Sequence, residues 1–280
     1  MQRATLWLFV SALSLGSCSC SANRADSPGP DAAPTPSPGP PSASQSAPAP
    51  LPAASQSAPA PLPAPSQSAP APAPRRAYVV AAVGDSLTDA RSHGGGFLEF
   101  VKERCPESRF DNFGKGGDMV NQMRRRFERD VLGAPAQENA NRPAYTHVIV
   151  FGGVNDLYSD KTALRTVSLI EKDLSTMYAA ARQRGSRVVA ITVAPWGGFS
   201  KYYNGDRAET TRKLNAWILG RKEAGEVDHV IDAHALLLCG PLGKLCPEYA
   251  EPFRDGLHFG PKGHEKLGEA LYREAFADCR

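Results

Sequence analysis

The 280-residue sequence predicts an α/β fold in which a mostly parallel sheet is covered by helices on both faces. Short apolar runs rich in β-branched residues alternate with longer amphipathic segments throughout residues 76–280. The apolar runs are nearly continuous, as is typical of strands buried on both faces. Three of these runs stop at clusters of Gly, Asp and Asn. Since the carboxyl ends of parallel strands lie at one edge of a sheet, we expect these clusters to meet there.

The elements follow from this alternation in chain order. The predicted strands are 77–83, 109–113, 147–151, 187–193 and 229–232. The predicted helices are 97–104, 119–131, 163–184, 207–222 and 262–276. Gly94 to Gly96 is predicted to form a flexible loop before the first helix, and Gly185 is a natural stop for the third helix. One domain, residues 76–280, therefore contains the whole predicted core.

The N-terminus predicts export. Residues 1–17 read as a signal peptide, because Arg3 precedes an apolar stretch too short to span a bilayer comfortably. The sequence Leu15 to Cys18 resembles a bacterial lipobox, which implies cleavage before Cys18 and attachment of a diacylglyceryl group to its sulfur. An ordinary signal peptide cleaved elsewhere is the alternative. We expect a lipoprotein anchored to a membrane through residues 18–26 and facing the periplasm or the cell exterior.

A tether follows the anchor. Residues 27–74 contain 17 of the 25 prolines and one charged residue, Asp31, so the segment 27–75 cannot bury enough apolar surface to fold. The pattern SQSAPAP begins at Ser44, Ser55 and Ser66. Such Pro-rich chain favours an extended conformation of roughly 3.1 Å per residue, which suits a spacer between membrane and domain.

Charge argues against nucleic acid as a partner. The formal net charge is only +3. The basic run Arg124-Arg125-Arg126 is followed by acidic and basic residues, and we interpret it as a solvated helix face. We expect the protein to be a monomer.

The loops at the predicted sheet edge contain the components of nucleophilic acyl transfer. Ser86 follows the first strand, where free N–H groups of a following turn favour negative charge beside its hydroxyl. His258 lies in a loop before the final helix, and Asp255 precedes it by three residues, so a turn can bring the carboxylate to the imidazole. Nucleophile, base and orienting acid are the three groups that such chemistry needs.

Donors for a developing oxyanion lie in the same loops. They are the N–H of Ser86, a backbone N–H in the second glycine-rich loop and the side-chain amide of Asn155. The supporting residues Gly84, Asp85, Gly153 and Asp156 flank them. Asp85 is expected to fix the turn that presents Ser86.

Four blocks of this sequence together resemble the SGNH (GDSL) hydrolases, which are named for a Ser, a Gly, an Asn and a His. The blocks are residues 84–87 (GDSL), 112–118 (NFGKGGD), 153–156 (GVND) and 255–258 (DGLH). The resemblance extends over essentially the whole folded domain. It implies a flavodoxin-like three-layer α/β/α sandwich with a five-stranded sheet in the order 2-1-3-4-5.

The resemblance also implies roles for the residues. Ser86 would be the nucleophile, His258 the base and Asp255 its partner, with Gly117 and Asn155 completing the oxyanion hole. Gly114 is the alternative to Gly117 within the second block. The implied activity is hydrolysis of carboxylic esters through an acyl-enzyme, without a cofactor or metal.

Three other functions are compatible with parts of this pattern. A metal-dependent phosphoesterase could build an oxygen-rich cation site from Asp85, Asp118, Asp156 and Asp255, together with Asn155 and His258. An α/β-hydrolase shares the chain order Ser, Asp, His, but Thr88 stands where its nucleophile elbow needs a second Gly. A tethered, non-catalytic carbohydrate-binding domain is the third alternative.

Four cysteines remain beyond the anchor region, and an exported setting favours disulfides. Cys239 and Cys246 flank a short loop and are the expected pair, which leaves Cys105 with Cys279. The substrate is expected to be an ester: an acetylated cell-wall or extracellular glycan, with a short-chain lipid ester, a thioester or acyl transfer as alternatives. Loops 94–96, 196–204 and 239–246 are expected to shape the acyl pocket, with aromatic side chains Trp196, Phe199, Tyr202 and Tyr203.

Overall fold

A computed structural model of the chain describes residues 75–133 and 142–280. The predicted signal peptide, the lipidation site Cys18 and the Pro/Ala tether to residue 74 lie outside the described residues. Within the described ranges, no helix has both the length and the apolar character needed to cross a bilayer.

The sheet has five strands in the order β2-β1-β3-β4-β5, and all its pairings are parallel. The strands are β1 (Val79–Gly84), β2 (Arg109–Gly114), β3 (His147–Phe151), β4 (Arg187–Ile191) and β5 (His229–Ile231). Gly84 is paired with Gly114 on one side and Phe151 on the other, so the first three strands end level. The predicted fold class and strand order are confirmed.

Helices cover both faces of the sheet. They are α1 (Gly96–Arg104), α2 (Val120–Phe127), α3 (Val154–Tyr158), α4 (Asp160–Ala163), α5 (Val167–Gln183), α6 (Gly205–Leu219), α7 (Ala233–Leu237), α8 (Pro247–Ala250) and α9 (Pro261–Leu271). Alternate strand residues divide the core in two, because successive side chains point to opposite faces. Val150 packs on one face with residues of α2, α5 and α6, and Ile149 packs on the other with residues of α1 and α9.

Three details differ from the sequence prediction. The predicted helix 163–184 is broken: Leu164 has a left-handed φ of 51°, and the side chain of Thr166 caps a new helix, α5. Strand β4 ends at Ile191, because the side-chain amide of Asn215 takes over both backbone groups of Val193. The loop predicted to be flexible is packed instead, with the N–H of Gly95 donating to the carbonyl of Leu87.

Two disulfides brace the domain. Cys105 and Cys279 join the end of α1 to the C-terminus, with their Cα atoms 5.3 Å apart. Cys239 and Cys246 join the two arms of a small hairpin, β6 (Leu238–Cys239) and β7 (Lys244–Leu245). These are the two pairs expected from the sequence.

Candidate active site

Ser86 lies directly beyond the end of β1. The turn that presents it is held by Asp85, whose backbone carbonyl accepts the N–H groups of Thr88 and Asp89. The Asp85 carboxylate also accepts the N–H of Leu87 at 3.0 Å. The side chain of Asp85 is thus part of the turn.

Ser86, His258 and Asp255 form a continuous chain of hydrogen bonds. The Oγ of Ser86 lies 2.9 Å from Nε2 of His258, and Nδ1 of His258 lies 2.6 Å from a carboxylate oxygen of Asp255. Since a carboxylate only accepts, Nδ1 carries the proton and Nε2 is free to accept from the serine. The spacing of three residues that suggested a turn between Asp255 and His258 therefore corresponds to a direct contact.

The two aspartates of the site have opposite pKa shifts. Partial burial raises the pKa of Asp255, but hydrogen bonds from the side chain and backbone of His258 and from the N–H of Leu257 outweigh it, and the net shift is downward. Complete burial raises the pKa of Asp85 to about 7. One oxygen of Asp85 has no hydrogen-bond partner among the described residues. Asp255 therefore stays ionised opposite the imidazole, whereas Asp85 takes up a proton near neutral pH.

Only one glycine of the second block has a backbone N–H free in the cavity. The N–H of Gly114 donates to Asn112, and that of Gly116 donates to Asp89. Gly117 lines the cavity, has a left-handed φ of 80° and donates to no acceptor in the part of the chain that the structure describes. This geometry favours Gly117 over Gly114 as an oxyanion donor.

Asn155 is the second residue of α3, two residues after the positive-φ Gly153, and it is only 4% exposed. Its amide nitrogen donates one hydrogen to the backbone carbonyl of Asp118 at 2.9 Å. The amide also borders the cavity that contains Ser86 and His258. Because an amide nitrogen has two hydrogens, the second remains available to a bound oxygen.

Buried ion pairs beneath these loops were not predicted from the sequence. Asp156 accepts from Nε of Arg165 at 2.7 Å and from the first N–H of α2, that of Val120, at 2.8 Å. Arg165 also contacts Asp173 at 2.6 Å. A carboxylate at a helix N-terminus complements the helix dipole. Asp156 therefore ties the Asn155 turn to the helix that follows the second block.

The interpretation of residues 124–126 as a solvated helix face holds for Arg125 but is wrong for Arg126, and Arg124 is only partly exposed and is paired with the buried Asp173. Arg125 is exposed, but Arg126 is only 8% exposed and donates to Asp118 at 2.7 Å. Helical spacing in the sequence could have indicated that Arg126 is buried. Arg126 lies next to the apolar stripe of Val120, Met123 and Phe127, whereas Arg125 points to the opposite side.

The carboxylates considered as cation ligands have separate partners. Asp118 is paired with Arg126, Asp156 with Arg165, and Asp255 with His258. Asp85 is fully buried in its own turn. Within residues 75–133 and 142–280, no three His, Cys, Asp or Glu side chains are grouped closely enough to hold a metal ion.

The cavity above Ser86 has a volume of about 600 Å³. Its lining corrects the expected set of aromatic residues. Of that set only Phe199 borders it; Trp196 is 1% exposed and donates to Thr211 in the core. The other aromatic side chains of the cavity are Tyr158 and Phe253, which sequence reasoning did not single out.

Comparison with known proteins identifies the class that this fold and site define. The GDSL-like lipase/acylhydrolase family model matches residues 82–266. The chain belongs to this family, and it is therefore a hydrolase of the esterase and lipase type. A comparison with curated protein sequences gives no match.

Solved structures share the fold at low sequence identity. A GDSL-like lipase from Bacteroides thetaiotaomicron is 20% identical over 70% of this chain and 86% of its own, with a TM-score of 0.56. A lipase/acylhydrolase from Enterococcus faecalis is 23% identical over 70% and 94%, with a TM-score of 0.55. A catalytic mutant of an acetylxylan esterase from Geobacillus stearothermophilus is 17% identical over 72% and 96%, with a TM-score of 0.55.

Proposed function

We propose that the protein is a serine esterase that removes short acyl groups, acetyl above all, from hydroxyl groups of an extracellular or cell-wall glycan. The observation that carries the catalytic part is the chain of hydrogen bonds from Ser86 through His258 to Asp255, with distances of 2.9 and 2.6 Å. These distances are within the range for a nucleophile, its general base and the group that orients the base.

The geometry supports a two-step mechanism. As the Oγ of Ser86 attacks the ester carbonyl carbon, Nε2 of His258 takes its proton, and Asp255 stabilises the resulting imidazolium. The carbonyl oxygen becomes negative and receives hydrogen bonds from the N–H groups of Ser86 and Gly117 and from the amide of Asn155. His258 then returns the proton to the leaving alcohol oxygen, and the acyl group stays on Ser86. His258 then deprotonates a water molecule as it attacks the acyl carbon; the bond between the acyl group and Oγ of Ser86 breaks, the acid leaves, and His258 returns the proton to Oγ.

Three features favour an acylated glycan as substrate. The cavity is open and has aromatic side chains at Tyr158, Phe199 and Phe253, which suit stacking against sugar rings. Among the structural neighbours, one is an acetyl xylan esterase and another derives from an acetylxylan esterase. The predicted tether of residues 27–75 would let a membrane-anchored domain reach a polymer at a distance.

Export and anchoring belong to the same proposal. The predicted signal peptide and Cys18 support attachment of the N-terminus to a membrane, and two disulfides in the domain suit an oxidising compartment. Globomycin-sensitive processing and labelling with a radioactive fatty acid, each abolished by Cys18→Ala, would test the anchor.

A hydrolysis profile tests the function. Wild-type protein and Ser86→Ala are compared on p-nitrophenyl esters of increasing chain length and on an acetylated polysaccharide with acetate release as the readout. We expect the highest kcat/KM on the acetyl ester, a steady fall with chain length, acetate release from the polysaccharide, and loss of all these activities in Ser86→Ala. A rate that rises with chain length would contradict the proposed substrate, and unchanged activity in Ser86→Ala would contradict the serine mechanism.

A further inference from the structure

The guanidinium of Arg126 is the buried centre of the loops that surround Ser86. It donates to the carbonyl of Gly84 at 3.0 Å, to the carbonyl of Phe113 at 2.7 Å and to the carboxylate of Asp118 at 2.7 Å. A fourth hydrogen bond, to Asp130 at 3.1 Å, ties it to its own helical segment. One side chain on α2 thus holds the end of β1, the end of β2 and the turn that follows β2.

Two of these acceptors lie within two residues of proposed oxyanion donors in the chain. Gly84 precedes Ser86 by two residues. Asp118 directly follows Gly117, and its N–H closes the turn by donating to the carbonyl of Lys115. The positions of the N–H groups of Ser86 and Gly117 are therefore coupled through Arg126.

The third donor is linked to the same group. Asn155 orients its amide by donating to the backbone carbonyl of Asp118 at 2.9 Å, and the carboxylate of Asp118 is held by Arg126. The three donors come from three separate loops, after β1, β2 and β3. Arg126 is therefore linked to all three donors. Its contact with Gly84 lies two residues from Ser86, and its contact with Asp118 lies next to Gly117 and one hydrogen bond from Asn155.

We propose that Arg126 is a positioning residue for the oxyanion hole: it sets the spacing of the three donors without touching the substrate. This inference rests on the proposed function, since it requires acyl transfer at Ser86. A guanidinium suits the task because its planar fork presents five N–H donors in fixed directions, whereas a lysine ammonium is a compact charge on a flexible stem.

Loss of Arg126 should weaken stabilisation of the transition state and not binding of the substrate. Oxyanion donors act because they are already placed for the charge that develops, and small displacements of them cost rate. The ground-state ester carries no such charge. Loss of Arg126 should therefore lower kcat and leave KM nearly unchanged.

The test compares Arg126→Lys and Arg126→Gln with Arg125→Gln, the exposed neighbour on the same helix. We expect kcat for p-nitrophenyl acetate to fall about 10- to 100-fold, with KM within about twofold. Arg126→Lys should keep more activity than Arg126→Gln, and Arg125→Gln should match wild type. Asp118→Asn, which keeps the backbone carbonyl that holds Asn155, should give a smaller loss and serves if the Arg126 variants do not fold.

A boronic acid supplies the second readout. It forms a tetrahedral adduct with a catalytic serine and places an oxygen in the oxyanion hole, so its inhibition constant should rise by the same factor by which kcat falls. Assays are run well below each variant's Tm. A lowered Tm with unchanged kcat and unchanged boronate affinity would show a merely structural role and overturn the inference. If the wild type hydrolyses no ester, or Ser86→Ala stays active, the proposed function itself fails.

Discussion

The two halves of the site are built in different ways. The half that would stabilise the oxyanion is made of loops after β1, β2 and β3, and these rest on buried ion pairs of Arg126 and Arg165, whose side chains are 9% and 7% exposed. The half that would move the proton is a surface loop before α9, where the side chains of His258 and Asp255 are 28% and 41% exposed.

The hydrogen bonds follow the same division. Asp255 holds His258 by contacts within three residues of chain, whereas Arg126 connects residues far apart in the sequence. The difference suits the chemistry. Donors for a developing charge work best when they cannot reorganise, and a base that exchanges protons with water and alcohol needs access to solvent. We therefore expect substitutions in the two halves to change activity and stability in different ways.

Asp255→Asn should have the largest effect. The substituted amide would present N–H to Nδ1 of His258 and favour the wrong tautomer, so we expect kcat to fall about 10⁴-fold, with little change in the free energy of unfolding. Steady-state kinetics measure the change in kcat, and thermal unfolding measures the change in stability. Glu251→Gln, an exposed acid of the same segment, is the matched control. A loss of less than about tenfold would mean that Asp255 does not orient the base.

Asp85→Asn should change the pH dependence of stability in the buried half. Burial raises the pKa of Asp85 from 3.8 to about 7, so the folded state keeps a proton that the unfolded chain has lost. The folded protein is therefore destabilised progressively as the pH rises from about 4 to about 7, and the cost is constant above that. At most, the raised pKa reduces the free energy of unfolding by roughly 4 kcal/mol, at 1.36 kcal/mol per pKa unit.

We expect Asp85→Asn to unfold at a higher temperature than wild type at pH 8, and this advantage should shrink towards pH 4. Thermal unfolding across this range measures it, with the exposed Asp206→Asn as control. The contribution of Asp255 to the free energy of unfolding has the opposite sign. Its lowered pKa adds stability at neutral pH, and this stability is lost as the pH falls through that pKa. A stability difference independent of pH would refute the raised pKa of Asp85.

Asn155→Ala should lower kcat by about 10² to 10³, the usual loss for one oxyanion donor, with KM almost unchanged. Asn215→Ala is a matched control, because Asn215 is also a buried amide whose partners among the described residues are backbone groups, those of Val193, and it does not border the cavity. We expect the control to be destabilised but fully active when folded. Equal losses of kcat in both variants would assign Asn155 to packing alone.

The hairpin disulfide should have the smallest effect, and it acts on the exposed half. The hairpin loop accepts the N–H of Gly197 through the carbonyl of Gly243 at 2.7 Å, and Gly198 packs against Gly256, next to Asp255. Replacing both Cys239 and Cys246 by Ser should reduce the free energy of unfolding by about 2 kcal/mol.

Amide hydrogen exchange should then quicken in residues 253–258 and stay unchanged in residues 84–89. Equal acceleration in both segments would show that the two halves are not separately supported.

The sequence allowed the fold and the proposed catalytic residues to be predicted because both depend on local signals. Strand runs such as 147–151 and the short Asp255–His258 spacing need no knowledge of distant partners. The hairpin pairing of Cys239 with Cys246 was local in the same sense.

The buried arginines could not be predicted in this way. Burial of Arg126 depends on the carbonyls of Gly84 and Phe113, which only the folded sheet brings together. Arg165 breaks a helix that its local sequence favours, because contacts with Asp156 and Asp173 compete with helix propensity. Trp196 was placed in the cavity for its aromatic character, yet its N–H finds a partner, Thr211, in the core.

Covalent labelling with a fluorophosphonate probe tests whether Ser86 is the nucleophile of the site. Wild-type protein and Ser86→Ala are treated with the probe, and the labelled peptide is located by mass spectrometry. We expect one adduct, on Ser86 in the wild type, and no labelling of Ser86→Ala. Equal labelling of both proteins, or an adduct on another residue, would contradict it.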